Sequence, residues 1–90
     1  MMAQYALVKF KINNSFYDWE QAFYASQPMA RKAGVLEIFH GKKSNDDTSV
    51  AVLLLIESKE KMDNFLKNAG EQIQKSGHII ESTEVEFYDN

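Results

Sequence analysis

The sequence contains no cysteine and only two histidines among its 90 residues. Without thiols the chain can form neither a disulfide nor a thiolate metal site. Two histidines alone cannot supply the four ligands of a structural zinc site, so we predict no metal and no cofactor. Ninety residues form one domain, 1–90, that buries only about 60% of the surface of its unfolded chain. Self-association is the remaining source of further burial.

Positive charge is also scarce. Ten lysine and arginine residues stand against thirteen acidic residues, and Arg31 is the only arginine. Nucleic-acid-binding proteins carry basic patches, so the charge predicts no nucleic-acid partner. No run of 18 apolar residues is present, which argues against a membrane span. The first residues, MMAQYALVKFKI, alternate instead of forming the apolar core of a signal peptide, so we expect a cytoplasmic protein.

The first half of the chain predicts a strand followed by a helix. Residues 4–12 alternate between apolar and mixed positions, which is typical of a strand. Ser15 is a helix-capping residue, and the aromatic residues Phe16, Trp19 and Phe23 follow it at helical spacing. Pro28 disfavours helical geometry before it, so we predict a break or a kink near 26–27 and then a shorter helical piece, 29–33, that ends at Gly34.

The rest of the chain predicts two strands, a second helix and a last strand. Residues 35–41 predict a strand with Leu36, Ile38 and His40 on the face toward the helices, and the polar residues 42–49 predict a loop. The apolar run 50–57 is typical of a central strand covered on both faces. A helix follows from Ser58 to Gly77, with a bend at Gly70, and its apolar positions are Met62, Phe65, Leu66, Ala69 and Ile73. A last strand begins at Ile79.

The resulting order is βαββαβ. It predicts an α+β, ferredoxin-like domain, in which a four-stranded antiparallel sheet of order 4-1-3-2 carries two helices on one face. The central strand 50–57 is nevertheless apolar on both faces. We therefore predict a homodimer through the uncovered face of the sheet. The residues expected on this dimer face are Tyr5, Leu7, Lys9, Glu84, Glu86 and Tyr88.

The charged residues of this face have two interpretations. Lys9 and Lys11 share it with Glu84 and Glu86, and the first and last strands are expected to be antiparallel neighbours. Cross-strand ion pairs are the first interpretation. A polar-lined cavity between two sheets is the alternative.

Three segments carry a resemblance to known proteins. The segments FYDWEQAF (16–23), AGVLEIFHG (33–41) and SGHIIEST (76–83) resemble a family of small bacterial proteins of unknown function, often from cyanobacteria. The βαββαβ order and the two-faced sheet resemble the dimeric α/β-barrel superfamily. That superfamily includes cofactor-independent monooxygenases, haem-degrading enzymes, stress-induced proteins and isomerases. The resemblance implies a small-molecule pocket between sheet and helices or in the dimer barrel, and it assigns no catalytic residue.

The two histidines are the candidate catalytic residues. His78 lies where the second helix ends and the last strand begins, where the helix dipole favours a cation. It could also cap free carbonyls, or act as a general base if a pocket and a partner surround it. His40 ends the second strand. A structural role is the alternative for each.

Three further residues are candidates for ligand binding. Trp19 belongs to an aromatic stripe that packs in the core or lines a cofactor pocket, and Tyr24 lies on the flank of that stripe. Arg31 could bind a carboxylate or phosphate with two hydrogen bonds, or could be a surface charge.

The sequence leaves three functions open. The first is a non-catalytic, homodimeric protein that binds a small molecule or is associated with a stress response. The second is a cofactor-free monooxygenase or isomerase that uses Trp19, His40 or His78 around an aromatic pocket. The third is a structural or regulatory interaction module. Because no complete catalytic motif is present, the first is preferred.

Overall fold

The computed structural model describes residues 3–90, which form an antiparallel sheet with helices packed on one face. Strands β1 (Gln4–Ile12), β2 (Val35–Lys43), β3 (Asp46–Ile56) and β4 (His78–Asp89) lie in the order β2-β3-β1-β4. Helix α1 (Phe16–Lys32) joins β1 to β2, and helices α2 (Lys59–Asn68) and α3 (Gly70–Lys75) join β3 to β4. The predicted fold class and sheet order are confirmed. Within residues 3–90, no helix is long and apolar enough to cross a membrane.

The alternation of β1 separates the core from the uncovered face of the sheet. Val8 and Phe10 are buried beneath the helices, whereas Leu7 and Lys9 lie on the opposite face. Burial of these side chains is the main stabilising contribution, at about 25 cal/mol for each Å² of apolar surface. The core is completed by buried residues of α1, β2, β3 and α2, among them Trp19, Val35, Val52, Ile56 and Met62.

A capping serine directly precedes each of the helices α1 and α2. The Ser15 hydroxyl accepts a hydrogen bond from the backbone N–H of Asp18 at 3.0 Å, and Ser58 does the same for Lys61 at 3.1 Å. These bonds satisfy N–H groups that have no partner within the helix. The predicted start of both helices is therefore confirmed.

Of the break or kink predicted before Pro28, the break is wrong, because α1 continues through the proline to Lys32 as one helix. Pro28 removes one helical hydrogen bond. The Ser26 hydroxyl donates to the carbonyl of Phe23 at 2.8 Å, which adds a bond in the same turn. Trp19 before the proline and Ala30 after it are both buried in the core. The burial of side chains on both sides of Pro28 therefore outweighs the tendency of proline to end a helix.

A bulge in β2 changes which residues share a face. Leu36 pairs with Leu55, whereas His40 pairs with Val52, and the register shifts between Glu37 and Phe39. The extra residue reverses the alternation, so Leu36 and His40 lie on opposite faces of the sheet. The predicted common face of Leu36, Ile38 and His40 is wrong, although His40 itself lies on the helix side.

The hairpin between β2 and β3 is shorter than predicted. Lys43 pairs with Asp46, so only Ser44 and Asn45 form the turn, with Asn45 at φ 67°. The Asp46 carboxylate accepts hydrogen bonds from Thr48, Ser49 and Lys11. These bonds hold polar residues in a strand that their composition alone would place in a loop.

The second helix is divided at the position where a bend was predicted. α2 ends at Asn68 and α3 begins at Gly70, so the structure has three helices within residues 3–90 instead of two. Two glycines follow the helical segments with positive φ: Gly34 at 82° and Gly77 at 101°. Gly77 leads directly into β4, as predicted.

Replacement of Gly77 by alanine is expected to destabilise the protein by about 1–3 kcal/mol. Its φ is unfavourable for alanine, and an added Cβ would overlap the side-chain amide of Asn14. Gly70→Ala is the matched control, because a Cβ there has no neighbour within 4 Å and alanine favours helix by about 1 kcal/mol. Chemical denaturation measures both changes. Equal stabilities for the two variants would contradict the assignment of strain to Gly77.

Candidate functional site

A cavity of about 620 Å³ lies between the helices and the sheet. Its walls are mainly aromatic and aliphatic, with residues that include Phe10, Trp19, Phe23, Met62, Phe65 and Ile73. Polar residues contribute Ser26, Gln27, Gln72, Lys75, Ser76 and His78. A cavity of this size accommodates a small organic molecule.

His78 is the one histidine in the cavity wall. Its ring stacks on Phe10, with 3.8 Å between ring centroids and an angle of 4° between the planes. Its Nε2 atom lies 2.6 Å from the Thr83 hydroxyl, five residues along β4. The stacking and this hydrogen bond hold the ring in one orientation.

His78 is uncharged at neutral pH. Burial lowers its pKa from the ordinary value of 6.5 to about 4, because the cavity wall cannot solvate an imidazolium ion. The prediction that the helix dipole favours its cation is therefore wrong. Desolvation exceeds the dipole effect, which is typically less than 1 kcal/mol for an exposed group.

His40 lies outside the cavity wall, in a cluster that joins α1 to β2. Its Nε2 atom is 2.7 Å from Glu20 Oε2, and its Nδ1 atom is 3.5 Å from Glu37 Oε1. The Tyr24 hydroxyl donates to Glu20 at 3.3 Å and lies 3.5 Å from His40 Nε2. We call these four residues, Glu20, Tyr24, Glu37 and His40, the His40 cluster.

The His40 cluster is packed against the aromatic stripe of α1. The His40 ring centroid lies 5.0 Å from that of Phe23 and 6.0 Å from that of Trp19, and its side chain is only 12% exposed. Because each ring nitrogen faces a carboxylate, the arrangement suits a link between helix and strand better than contact with a substrate. Trp19 and Phe23 therefore contribute to the cavity and also pack beside this link.

Sequence reasoning missed both carboxylates of the His40 cluster. Glu20 carried a signal, since it follows Trp19 directly and is four residues from Tyr24 on the same helix. Glu37 carried none, because its approach to His40 depends on the bulge.

Desolvation, followed by the charge and hydrogen bond of Glu20, raises the pKa of Tyr24.

The three candidate ligand-binding residues, Trp19, Tyr24 and Arg31, lie in different parts of the structure. Trp19 lines the cavity and is 3% exposed. Tyr24 belongs to the His40 cluster. Arg31 is exposed in the last turn of α1, where a cation complements the helix dipole, and it is not among the described residues of the cavity wall. Within residues 3–90, no group of three or more acidic or histidine side chains is placed to hold a metal ion.

The residues predicted for a dimer face lie together on the uncovered face of the sheet. Tyr5 pairs with Tyr88, Leu7 with Glu86 and Lys9 with Glu84 across β1 and β4. Lys9 Nζ is 4.0 Å from Glu86, an exposed pair worth less than about 1 kcal/mol. Lys11 Nζ instead binds Asp46 at 3.1 Å.

The uncovered face continues as an apolar surface over β2 and β3. Phe39 is 56% exposed and Leu36 is 43% exposed there, beside the half-buried Leu53 and Leu55. These side chains form a contiguous row of exposed or half-buried apolar groups on two neighbouring strands. We call the face formed by these four residues together with Tyr5, Leu7 and Tyr88 the open face.

Solved structures with the same fold include oxygenases. One is a "Putative antibiotic biosynthesis monooxygenase" from Bordetella bronchiseptica, with a TM-score of 0.78, 12% identity, and coverage of 98% of this chain and 96% of that chain. A monooxygenase from Streptomyces coelicolor, solved with the ligand nanaomycin D, has a TM-score of 0.64, 16% identity, and coverage of 99% and 88%. SnoaB, a cofactor-independent oxygenase from Streptomyces nogalater, has a TM-score of 0.62, 8% identity, and coverage of 100% and 92%.

At these identities the likeness shows the fold alone, and the function must be argued from the site. No curated protein sequence matches this chain significantly. Residues 3–90 match the family described as "Domain of unknown function (DUF3764)". The chain belongs to that family, and the predicted resemblance to a family of unknown function is confirmed. The solved structures confirm the ferredoxin-like fold that was predicted with it.

The buried position of His78 predicts a pH-dependent stability. Well above pH 6.5 the residue is neutral in both the folded and the unfolded chain, so it does not make the free energy of unfolding depend on pH. As the pH falls from 6.5 to about 4, the unfolded chain binds a proton that the folded chain excludes, so the free energy of unfolding decreases. Denaturant titrations of the protein and of His78→Phe, which retains the stacking on Phe10, measure this effect. Between pH 6.5 and 4 the free energy of unfolding of the protein should fall more than that of His78→Phe. A difference between the two that stays constant with pH would contradict burial of a neutral His78.

Proposed function

We propose that this member of the DUF3764 family is a homodimeric, non-catalytic binding protein for a flat, apolar small molecule held between the sheet and the helices. The cavity of about 620 Å³, with its aromatic walls, is the observation that carries the proposal. Ring faces in such a wall stack against planar ligands, and each aromatic contact contributes about 1 kcal/mol beyond the burial of area.

The neutral His78 supports binding more than catalysis. A general base is most effective when its pKa lies near the working pH. With a pKa of about 4, His78 is available as a hydrogen-bonding group at pH 7, but it holds an abstracted proton weakly. His40 is engaged by two carboxylates. Neither histidine therefore combines a free, basic nitrogen with a second polar partner in the cavity.

A cofactor-free oxygenase or isomerase is the second candidate. Its support is the fold shared with monooxygenases, together with an unprotonated His78 in the cavity wall. In that function His78 would accept a proton from the bound substrate. Turnover that disappears in His78→Phe, while the substrate still binds, would favour this candidate over a binding protein. A structural or regulatory interaction module is the third candidate, and it would be favoured if no small molecule bound.

The proposal of a homodimer rests on the open face. Phe39 and Leu53 leave apolar surface uncovered, and Lys9 beside Glu86 supplies charges of both signs on the same face. A two-fold interface places one patch against its own copy, so apolar surface can meet apolar surface and each charge can meet its opposite. A domain of 90 residues also gains stability from the additional burial.

Binding in the cavity can be followed through Trp19, because it is the only tryptophan and it lines the cavity. A naphthoquinone is expected to quench its fluorescence to saturation. Ala22→Phe should lower the affinity about tenfold or more by filling the cavity, since Ala22 lies in the wall. The matched control is Gln21→Phe, an exposed neighbour on the same helix, which should leave affinity unchanged. Equal affinities for the two variants would place the ligand elsewhere.

The homodimer is tested by sedimentation. The protein is expected at roughly twice the chain mass of 10.3 kDa. Phe39→Asp should shift the equilibrium to monomer, because it places a charge in the apolar part of the interface. Tyr17→Asp is the matched control, since Tyr17 is 67% exposed on α1 and away from the open face. A protein that sediments as a monomer at micromolar concentration would refute the dimer.

A further inference from the structure

We infer that the cavity selects ligands that are uncharged at pH 7 and that carry one hydroxyl or carbonyl group for a hydrogen bond to His78. This inference rests on the proposed binding function and specifies the chemistry of its ligand. Three features of the cavity carry it: the scarcity of charge in the wall, the free nitrogen of His78, and the location of the cavity's single lysine.

The wall offers almost no compensation for a buried charge. Within residues 3–90, the ionisable side chains that line the cavity are His78 of β4 and Lys75 of α3, and neither an aspartate nor a glutamate is among them. An ionised carboxylate or phosphate loses its hydration on entry and is stabilised only by an opposite charge or by several hydrogen bonds. His78 cannot supply that charge, because it remains neutral down to a pH of about 4.

Lys75 is poorly placed to supply the missing charge. Its ammonium group pairs with Glu71 at 3.2 Å one turn away, and both side chains are largely exposed. It therefore lies at the solvent edge of the cavity and already faces an anion. Arg31 is exposed at the end of α1 and does not belong to the described wall. An anionic ligand would have to leave its charge in water at this edge.

His78 supplies a polar contact for an uncharged group. Its Nε2 atom is engaged by Thr83, whereas Nδ1 has no hydrogen-bond partner among the described residues and is not one of their fully buried, unpartnered atoms. If the Thr83 hydroxyl donates to Nε2, Nδ1 carries the proton and donates to a carbonyl. If Nε2 donates to Thr83, Nδ1 accepts from a hydroxyl. A quinone carbonyl therefore suits the first tautomer and a phenol hydroxyl suits the second. The flat ring of either ligand can stack against the aromatic side chains of the wall.

Calorimetric titration with three naphthalene derivatives tests the inference. 2-Naphthamide and 2-naphthoate have nearly the same shape but differ in charge, and 2-naphthol supplies the hydroxyl group. At pH 7 naphthoate is expected to bind about a hundredfold or more weakly than the amide, because a carboxyl with a pKa of roughly 4 is almost entirely ionised. Between pH 8 and 5 its affinity should rise about tenfold for each unit, while the affinity of the amide stays constant.

Variants separate the contributions of the two ionisable residues. His78→Phe keeps the ring stacking and should weaken 2-naphthol roughly three- to tenfold, the usual effect of losing one neutral hydrogen bond, while naphthalene itself should bind unchanged. Lys75→Met tests whether the lysine at the cavity edge contributes to the binding of naphthoate. At pH 7 naphthoate should still bind about a hundredfold or more weakly than the amide in this variant, because the ammonium group that is removed pairs with Glu71 at the solvent edge.

The outcomes distinguish this inference from the proposed function. Naphthoate that binds as tightly as the amide at pH 7, particularly if Lys75→Met abolishes that binding, would overturn the selection for uncharged ligands and leave the cavity as a binding site. Equal affinity of naphthol for the protein and for His78→Phe would overturn the role of His78. Failure of all three derivatives to bind would remove the proposed function and the inference together.

Discussion

The packing of Trp19 between the sheet and the rest of α1 is the contact on which the other features depend. Its ring lies 5.6 Å from Phe10 of β1 and 4.9 Å from Phe23, one turn further along the helix. This contact fixes the distance between α1 and the sheet, and that distance sets the width of the cavity. The same ring lies 6.0 Å from His40, so the helix is also positioned relative to β2. One side chain thereby couples the core, the cavity and the His40 cluster.

Two histidines of the same chain occupy opposite electrostatic environments. His40 lies between two carboxylates and joins two elements of the fold, whereas His78 stacks on a phenyl ring and is desolvated. The environment of each follows from its position in the sheet, since His40 lies within β2 on the helix side beside Glu20 of α1, and His78 is the first residue of β4 and lies in the cavity wall. Identical side chains therefore serve as a structural link in one place and as a neutral polar contact in the other.

The sequence predicted the features that depend on local pattern. Alternation in residues 4–12, the serines at 15 and 58 and the glycines at 34 and 77 correctly indicated the strand, the helix starts and the junctions. These signals are local because capping bonds and positive φ angles are properties of a few adjacent residues.

Features set by tertiary contacts were not predictable in the same way. Pro28 stays helical because core burial extends beyond it, and the residues near Asp46 stay in a strand because Lys11 binds there. The bulge at Ile38 has no sequence signature, yet it decides which side chains of β2 face the helices. The same holds for the candidate site. The position of Trp19 could be predicted from helical periodicity, whereas the neutral state of His78 and the carboxylates beside His40 depend on contacts that exist only in the folded chain.

The bulge has a further consequence for how the molecule meets other chains. β2 is an edge strand, and a regular edge presents unpaired backbone groups that can template the addition of a foreign strand and lead to aggregation. An extra residue at Ile38 interrupts that row of donors and acceptors and twists the strand locally. The irregularity therefore protects one border of the sheet from strand addition, although the apolar side chains around it remain exposed. Two molecules can still associate through the faces of their sheets, whereas the addition of strands along the β2 edge is disfavoured.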